Sequence, residues 1–330
     1  MKAWIIREPG GPEQFSLEDI EIPKARNGWT LIRIRAFGLN RSEWFTRNGD
    51  SPTVKFPRIL GIECVGEIVD SGGLNIAAGT MVAAIMGGMG REFDGSYAEY
   101  TLVPHSCVFP VETGLPWERL AAFPEMLQTT HGSLFVGLEI ERADSLLIRG
   151  GTSSIGMAAL AIAKSAGLRV GTTTRDPAKV NELKKAGADE VLIDNGEIHK
   201  QVEENNLGQY DRVLELIGTT TLIDSLHCVR RGGIVCMTGI LGGKWALENF
   251  QPMVDIPTAV KLTSYSGEAS NLSVEQFQKY LDLIEKGDLN IETGPIFKFE
   301  QLIQAHELMD ANQAGGKIVV LGKRQNPHND

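Results

Sequence analysis

Residues 149–156 read RGGTSSIG, between the apolar run SLLI (145–148) and the small-residue run MAALAIAKSAG (157–167). An apolar strand, a glycine turn and a helix in that order form the arrangement that holds a dinucleotide pyrophosphate. The fingerprint G-x-G-x-x-G assigns the first glycine to the tight turn, the second to close approach of the phosphates and the third to helix packing. Gly151 and Gly156 take the first and third roles, and Ser153 stands where the middle glycine is expected. Its Cβ holds a pyrophosphate farther off, and its hydroxyl, with those of Thr152 and Ser154, offers hydrogen bonds in compensation. The helix that follows favours an anion in either case. Gly151, Thr152, Ser153, Ser154 and Ile155 are therefore the candidate phosphate-binding residues. On the loop alone, a Ser/Gly-rich turn that caps a helix and binds nothing remains the alternative.

The surroundings weigh against that alternative. Apolar, β-branched strands are expected at 145–150, 169–174, 190–194, 212–217, 233–239 and 261–266. Helical patterns fall between them at 155–167, 177–187, 198–206 and 220–229. Such alternation predicts a doubly wound α/β unit, a parallel sheet covered on both faces. Residues 1–115 instead show short alternating strands separated by turns such as REPGGPE and RNGDSPT, the pattern of a compact β-barrel-like domain. The texture changes near 116, where 116–137 is helical in pattern. Past 267 come two amphipathic helices and a last strand, KIVVLG. The expected division is a β-rich domain over 1–115, completed by 268–330, and a Rossmann cofactor domain over 116–267.

A chain of 330 residues is long enough for both cores. Its 32 Lys and Arg against 42 Asp and Glu give a net charge of −10, which disfavours a nucleic-acid partner. The start MKAWIIREPGG is interrupted by Arg7 and Glu8 too early for a signal peptide. No apolar stretch approaches the roughly 20 residues needed to span a bilayer. The tail KRQNPHND carries no lipidation pattern. A cytoplasmic protein with no membrane partner is expected. Cys64, Cys107, Cys228 and Cys236 form no C-x-x-C pair and read as buried free thiols.

The choice of dinucleotide turns on the end of the second strand, about 20 residues past the loop. There the chain reads RVGTTTRDPAKV (169–180). Thr174, Arg175 and Lys179 offer a hydroxyl and two cations, which suit a 2′-phosphate and hence NADPH. Asp176 is the competing candidate, as a ribose acid for NADH. Followed by Pro177, it fits better as the cap of a helix.

Six segments together resemble the medium-chain dehydrogenase/reductase superfamily and, within it, the zinc-independent quinone oxidoreductase branch. They are LNRSEWFTRNG (39–49), FPRILGIECVGEIVDSG (56–72), GSYAEY (95–100), FPEMLQTTHGSL (123–134), the loop at 150–156 and GGKIVVLG (315–322). The likeness covers essentially the whole chain. It implies a GroES-like catalytic domain, a Rossmann cofactor domain, an active site in the cleft between them, and a homodimer. Asn40 stands where the zinc branch has a cysteine ligand and Ile62 where it has a histidine; isoleucine cannot ligate a metal, so no metal site is expected. Glu63, without those partners, reads as structural.

Without a Lewis acid, the implied chemistry is hydride transfer to an acceptor that delocalises the electron pair itself, a quinone or an α,β-unsaturated carbonyl. The resemblance places Asn40 beside the nicotinamide, Thr129 near the nicotinamide end, and Gly239, Ile240 and Leu241 along the cofactor's face. Ser42, Glu43 and Arg47 line or support the pocket. Asn40 as the brace of a turn, and Glu43 with Arg47 as a structural ion pair, are the alternatives. Phe45 and His131 stand where the branch often has tyrosine. His131 is a proton donor, a cofactor-stacking ring or a packed helix histidine, and solvent is the other proton source. The expected activity is NADPH-dependent reduction of a quinone or enone. An enoyl-thioester reductase is one rival, weakened by Phe45; a non-catalytic NADPH-binding sensor or crystallin-like protein is the other.

Overall fold

Strand alternation at the N-terminus builds a hairpin first: β1 (Lys2–Ile6) pairs antiparallel with β2 (Phe15–Asp19), in register from Lys2 opposite Asp19 to Ile6 opposite Phe15. The computed structural model from which these elements are described covers residues 1–323. The lipidation reading of the tail falls largely on residues 324–330 and lies outside them.

The ten-residue strand β3 (Trp29–Gly38) buries Ile32 and Ile34 and turns the intervening Arg33 outward, the period-two pattern of a half-buried sheet. After helix α1 (Arg41–Arg47) come β4 (Glu63–Asp70), β5 (Met81–Ile85), β6 (Tyr100–Pro104) and β7 (Val108–Pro110). β3 pairs antiparallel with both β4 and β6, β4 with β5, and β5 with β7. Ile32, Phe37, Cys64, Val82 and Tyr97 lie at the heart of the resulting core. The expected helical run at 116–137 is broken into α2 (Trp117–Leu120), α3 (Pro124–His131) and a wide π-turn, Gly132–Gly137. Pro124 supplies no N–H to continue the earlier helix, so it starts a new one.

Six parallel strands follow, β8 (Ser145–Arg149), β9 (Arg169–Thr174), β10 (Glu190–Ile193), β11 (Tyr210–Glu215), β12 (Val229–Met237) and β13 (Lys261–Ser264). Between them lie α4 (Ser154–Ser165), α5 (Val180–Lys185), α6 (Ile198–Glu204), α7 (Leu222–His227) and the short α8 (Pro252–Asp255). The strand order is β10-β9-β8-β11-β12-β13. Every residue of β8 and β11 is buried, as two-face coverage requires. The order reverses between β8 and β11, and ligands of such sheets bind at the carboxyl ends beside that reversal.

The chain ends with α9 (Val274–Lys286), β14 (Ile296–Phe297), α10 (Leu302–Asp310) and β15 (Val319–Leu321). β15 pairs antiparallel with β3, Val319 opposite Gly38, and so belongs to the first sheet. Two compact units result. One holds Met1–Gln128, Glu268–Glu285 and the described residues from Thr293 onward; the other holds Thr129–Gly267 with Lys286–Glu292. The division falls at 128/129 rather than near 116 because α2 packs on β3, β4 and β15, with Leu120, Ala121 and Phe123 fully buried. The first unit is GroES-like and the second a Rossmann-like parallel sheet. Among the described residues, no helix is long and apolar enough to cross a membrane.

Candidate functional site

β8 delivers the chain into the glycine loop, and there the roles differ from the sequence expectation. Gly150, with φ +95°, makes the turn rather than Gly151. Gly151 is required for space: a Cβ would stand 1.7 Å from Thr172 Oγ1. At Gly156 a Cβ would lie 2.5 Å from the Gly150 carbonyl oxygen, so this glycine keeps α4 against the loop. Ser153 is the N-cap of α4. Its Oγ accepts from the Gly156 N–H at 3.0 Å and donates to the Gly150 carbonyl at 2.8 Å. The single hydroxyl proton is therefore used inside the loop, which Ser153 braces, and none is left to donate to a phosphate. The first-turn amides of Ser154 and Ile155 are the donors the helix itself does not use. With the helix dipole behind them, they fit a pyrophosphate.

At the end of β9, Thr174 is buried, and its hydroxyl is occupied in a local turn. It accepts from the Asp176 N–H at 3.1 Å and donates to the Asp176 carbonyl at 3.3 Å, so it is not presented to a ribose phosphate. Asp176 is a cap, its Oδ1 accepting from the Ala178 N–H at 2.9 Å with Pro177 in the first position. Lys179 pairs with Glu182 at 2.6 Å on the surface. Arg175 is exposed and enters none of the ion pairs among the described residues. At the carboxyl end of β12, Gly239 sits so close to Leu216 that a Cβ would be 2.3 Å from its carbonyl oxygen. Ile240 is half-buried, and Leu241, 40% exposed, donates its N–H to the Leu216 carbonyl at 3.1 Å.

The first unit holds a different constellation. Asn40 is the N-cap residue of α1, yet its side chain does not cap. Its amide nitrogen donates to Glu63 Oε1 at 2.9 Å and Glu43 Oε1 at 3.2 Å, and its Oδ1 accepts from Lys317 Nζ. Lys317 also pairs with Glu63 at 2.6 Å and Glu125 at 3.1 Å. Glu63 Oε2 accepts the Glu125 N–H at 2.8 Å, and Glu43 Oε1 accepts the Ile62 N–H at 3.2 Å. Asn40, Glu43, Glu63 and Lys317 are all buried. Burial pushes the Glu43 carboxyl up to about 7 against the pull of Lys317, and pushes Glu63 up as well. Burial works against the Lys317 ammonium, but Glu63 and Glu125 outweigh it and hold its pKa above the ordinary value. Glu43 Oε2 is buried without a hydrogen bond.

Known families match part of each unit. Residues 26–113 match the alcohol dehydrogenase GroES-like domain, and residues 186–320 match a zinc-binding dehydrogenase family. The chain is thus similar to medium-chain dehydrogenase/reductase proteins in both units. A quinone oxidoreductase of Lama guanicoe is 28% identical over 98% of this chain and 98% of its own. A mycobacterial quinone oxidoreductase structure is 25% identical with a TM-score of 0.82, covering 97% of this chain and 99% of the other. The Escherichia coli quinone oxidoreductase, solved in complex with NADPH, is 18% identical at TM-score 0.82 over 97% of this chain and all of its own.

Arg47 on α1 is anchored to α10. It is fully buried and pairs with both oxygens of Asp310, at 2.8 and 2.9 Å, so it ties α1 to α10 rather than to Glu43. Ser42 Oγ accepts from Arg91 at 2.6 Å. Phe45 is buried. His131 stacks on Phe135, ring centroids 4.6 Å apart, and burial lowers its pKa, which keeps the ring neutral at pH 7. Such stacking fits a packed helix histidine, one of the alternatives. Thr129, half-buried on α3, accepts from Ser133 Oγ through its carbonyl at 2.6 Å, and Ser133 lies 2.9 Å from Thr238. Gly132 leaves room for the Tyr265 ring, which a Cβ would meet at 1.9 Å. Among the described residues, no group of three or more His, Cys, Asp or Glu is arranged to hold a metal. All four cysteines are buried free thiols.

Sequence reasoning passes over two residues that the structure makes central. Lys317 reads as an ordinary strand lysine in GGKIVVLG. Arg149 carries a signal in retrospect: a cation closing an otherwise apolar parallel strand demands buried partners.

Proposed function

We propose that this oxidoreductase uses NADPH to reduce a quinone or an α,β-unsaturated carbonyl, without a catalytic metal and as a homodimer. The observation that carries the reading is the braced phosphate loop, with Ser153 locking Gly150 to Gly156 and leaving the Ser154 and Ile155 amides for the pyrophosphate. Gly151 and Thr152 complete that loop. Arg175 supplies the cation for a 2′-phosphate, with Lys179 near it on the surface. Full-length relatives named quinone oxidoreductase, and the NADPH complex of the Escherichia coli protein, support the same choice. Bound NADPH supplies the hydride; the chain's part is to hold and orient it.

The metal-free reading rests on residue chemistry. Ile62 has no donor atom, both amide hydrogens of Asn40 are engaged by carboxylates, and the Lys317 ammonium already neutralises Glu63. Asn40 then acts through the shape it gives the start of α1, not through a free amide. Gly239, Ile240, Leu241 and Thr129 line the cofactor in this proposal. The proton comes from solvent, since His131 is neutral and stacked.

The test is a steady-state panel of quinones, enals and enones with NADPH and NADH in parallel, with and without a chelator. Saturable, chelator-resistant NADPH oxidation is expected. Tight binding with no turnover across the panel favours the sensor reading, and inhibition by chelator reversed by zinc overturns the metal-free one. Sedimentation of the purified protein checks the dimer.

A further inference from the structure

Arg149 is fully buried as the last residue of β8, directly before the Gly150 turn. Its Nε and Nη2 donate to the two oxygens of Asp194, each at 2.8 Å. Its Nη1 reaches the Thr221 carbonyl at 3.1 Å, Ser225 Oγ at 3.2 Å and the carboxylate of Asp224. Asp194, just past β10, also accepts from the Gly196 N–H at 3.0 Å and from Thr173 Oγ1 at 3.3 Å. Its own N–H donates to the Thr174 carbonyl at 2.8 Å. Thr173 Oγ1 in turn accepts the Gly150 N–H at 3.1 Å. A chain of contacts thus runs from Arg149 through Asp194 and Thr173 back to the amide of the turn glycine. It laces the carboxyl ends of β8, β9 and β10 beneath the phosphate loop.

Two carboxylates pair with one guanidinium here and a third, Glu215, is buried beside them, so the cluster carries no surplus positive charge to attract an anion. What it supplies is placement. It fixes the Gly150 amide and the end of β9, from which Arg175 departs. Removing the guanidinium leaves Asp194 without its ion-pair partner and Asp224 with His199 alone, a buried-charge defect felt by any phosphate bound there.

We propose that Arg149 is a positioning residue for the dinucleotide, setting the phosphate loop through Asp194 and Thr173. This rests on the nicotinamide-dinucleotide reading above. Because NADPH and NADH share the pyrophosphate, loss of Arg149 weakens both together, unlike loss of Arg175.

The experiment titrates NADPH and NADH into full-length wild type, Arg149→Met, Arg149→Met/Asp194→Asn and Thr173→Val. Steady-state kcat and cofactor KM are measured beside it with one quinone. For Arg149→Met, both dissociation constants rise about tenfold to a hundredfold, as for loss of a charged hydrogen-bond partner. KM rises while kcat changes little, and the double variant recovers part of the loss. Thr173→Val keeps the Arg149–Asp194 ion pair whole and removes the hydroxyl that joins Asp194 to the Gly150 N–H. It weakens both dinucleotides by roughly threefold to tenfold, and it decides the matter if Arg149→Met does not fold. Wild-type affinity in Thr173→Val, a loss confined to NADPH, or a double variant no better than the single overturns the proposal. Wild type that binds neither dinucleotide overturns the underlying reading and the proposal with it, an outcome visible before any variant is made.

Discussion

Replacing Glu43 by Gln tests the buried cluster through the pH dependence of stability. In the folded protein burial raises the Glu43 carboxyl from its ordinary 4.5 to about 7, so the fold retains a proton that the unfolded chain releases. Between those pH values the native state binds more protons than the unfolded state, and stability falls as pH rises. The contribution is full below about 4.5, declines through the interval and is flat above about 7. At about 1.4 kcal/mol for each pH unit, the interval corresponds to a ceiling of about 3 kcal/mol.

A glutamine keeps the Oε1 acceptor for the Asn40 amide and the Ile62 N–H, and it cannot ionise. Its NH₂ replaces Glu43 Oε2, which has no hydrogen bond, at a pH-independent cost of roughly 1–3 kcal/mol. Relative to wild type, Glu43→Gln therefore gains up to about 3 kcal/mol between pH 4.5 and 7.5. Urea unfolding followed by tryptophan fluorescence reads this well. Trp4, Trp29, Trp44 and Trp117 lie in the unit that contains Glu43, and Trp245→Phe silences the other. Parallel stability curves for the two proteins across that range would refute the reasoning. A gap that widens against the variant with rising pH would mean that Glu43 is an ionised partner of Lys317.

Arg175→Ala is expected to weaken NADPH binding by about tenfold to a hundredfold and leave NADH nearly unchanged; equal losses in parallel titrations would remove the 2′-phosphate assignment. Ser153→Ala loses the cap of α4 and the bond to the Gly150 carbonyl, costing about 1 kcal/mol of stability. A melting temperature unchanged in the apo protein would contradict the bracing role. Lys317→Met strands Glu63 and Glu125, for a loss of roughly 3–5 kcal/mol. Adding Glu63→Gln should recover much of it, and equal stability of the single and double variants would show that the pair is not coupled.

The parallel sheet is legible because runs such as SLLI and RVLELI are apolar throughout and helices separate them. β2 is not, since FSLED carries Ser16, Glu18 and Asp19; pairing with β1 makes it a strand. Within the phosphate loop the residue types are legible and their division of labour is not. Gly150 and Gly151 are the same letter, and only the backbone shows that the first has the left-handed φ while the second lacks room for a Cβ. Ser153 offers a hydroxyl to anything nearby; the helix it caps lies nearer than any phosphate.

The charged partners are the least legible, because topology sets them. Glu43 and Arg47 stand four residues apart on α1, the spacing of a local pair, but helical spacing says nothing about what burial places closer. Arg47 meets Asp310, 263 residues away, and Asn40 meets Lys317 at 277. The same limit governs the metal question. That Ile62 cannot ligate follows from its identity alone. That a cation is nevertheless present among Asn40, Glu63 and Glu125, as an ammonium two residues ahead of the last strand, follows only once β15 is paired to β3. A buried carboxylate with no ligand chemistry around it still requires a counter-charge, so Glu63 is itself the reason to search the chain for a buried lysine.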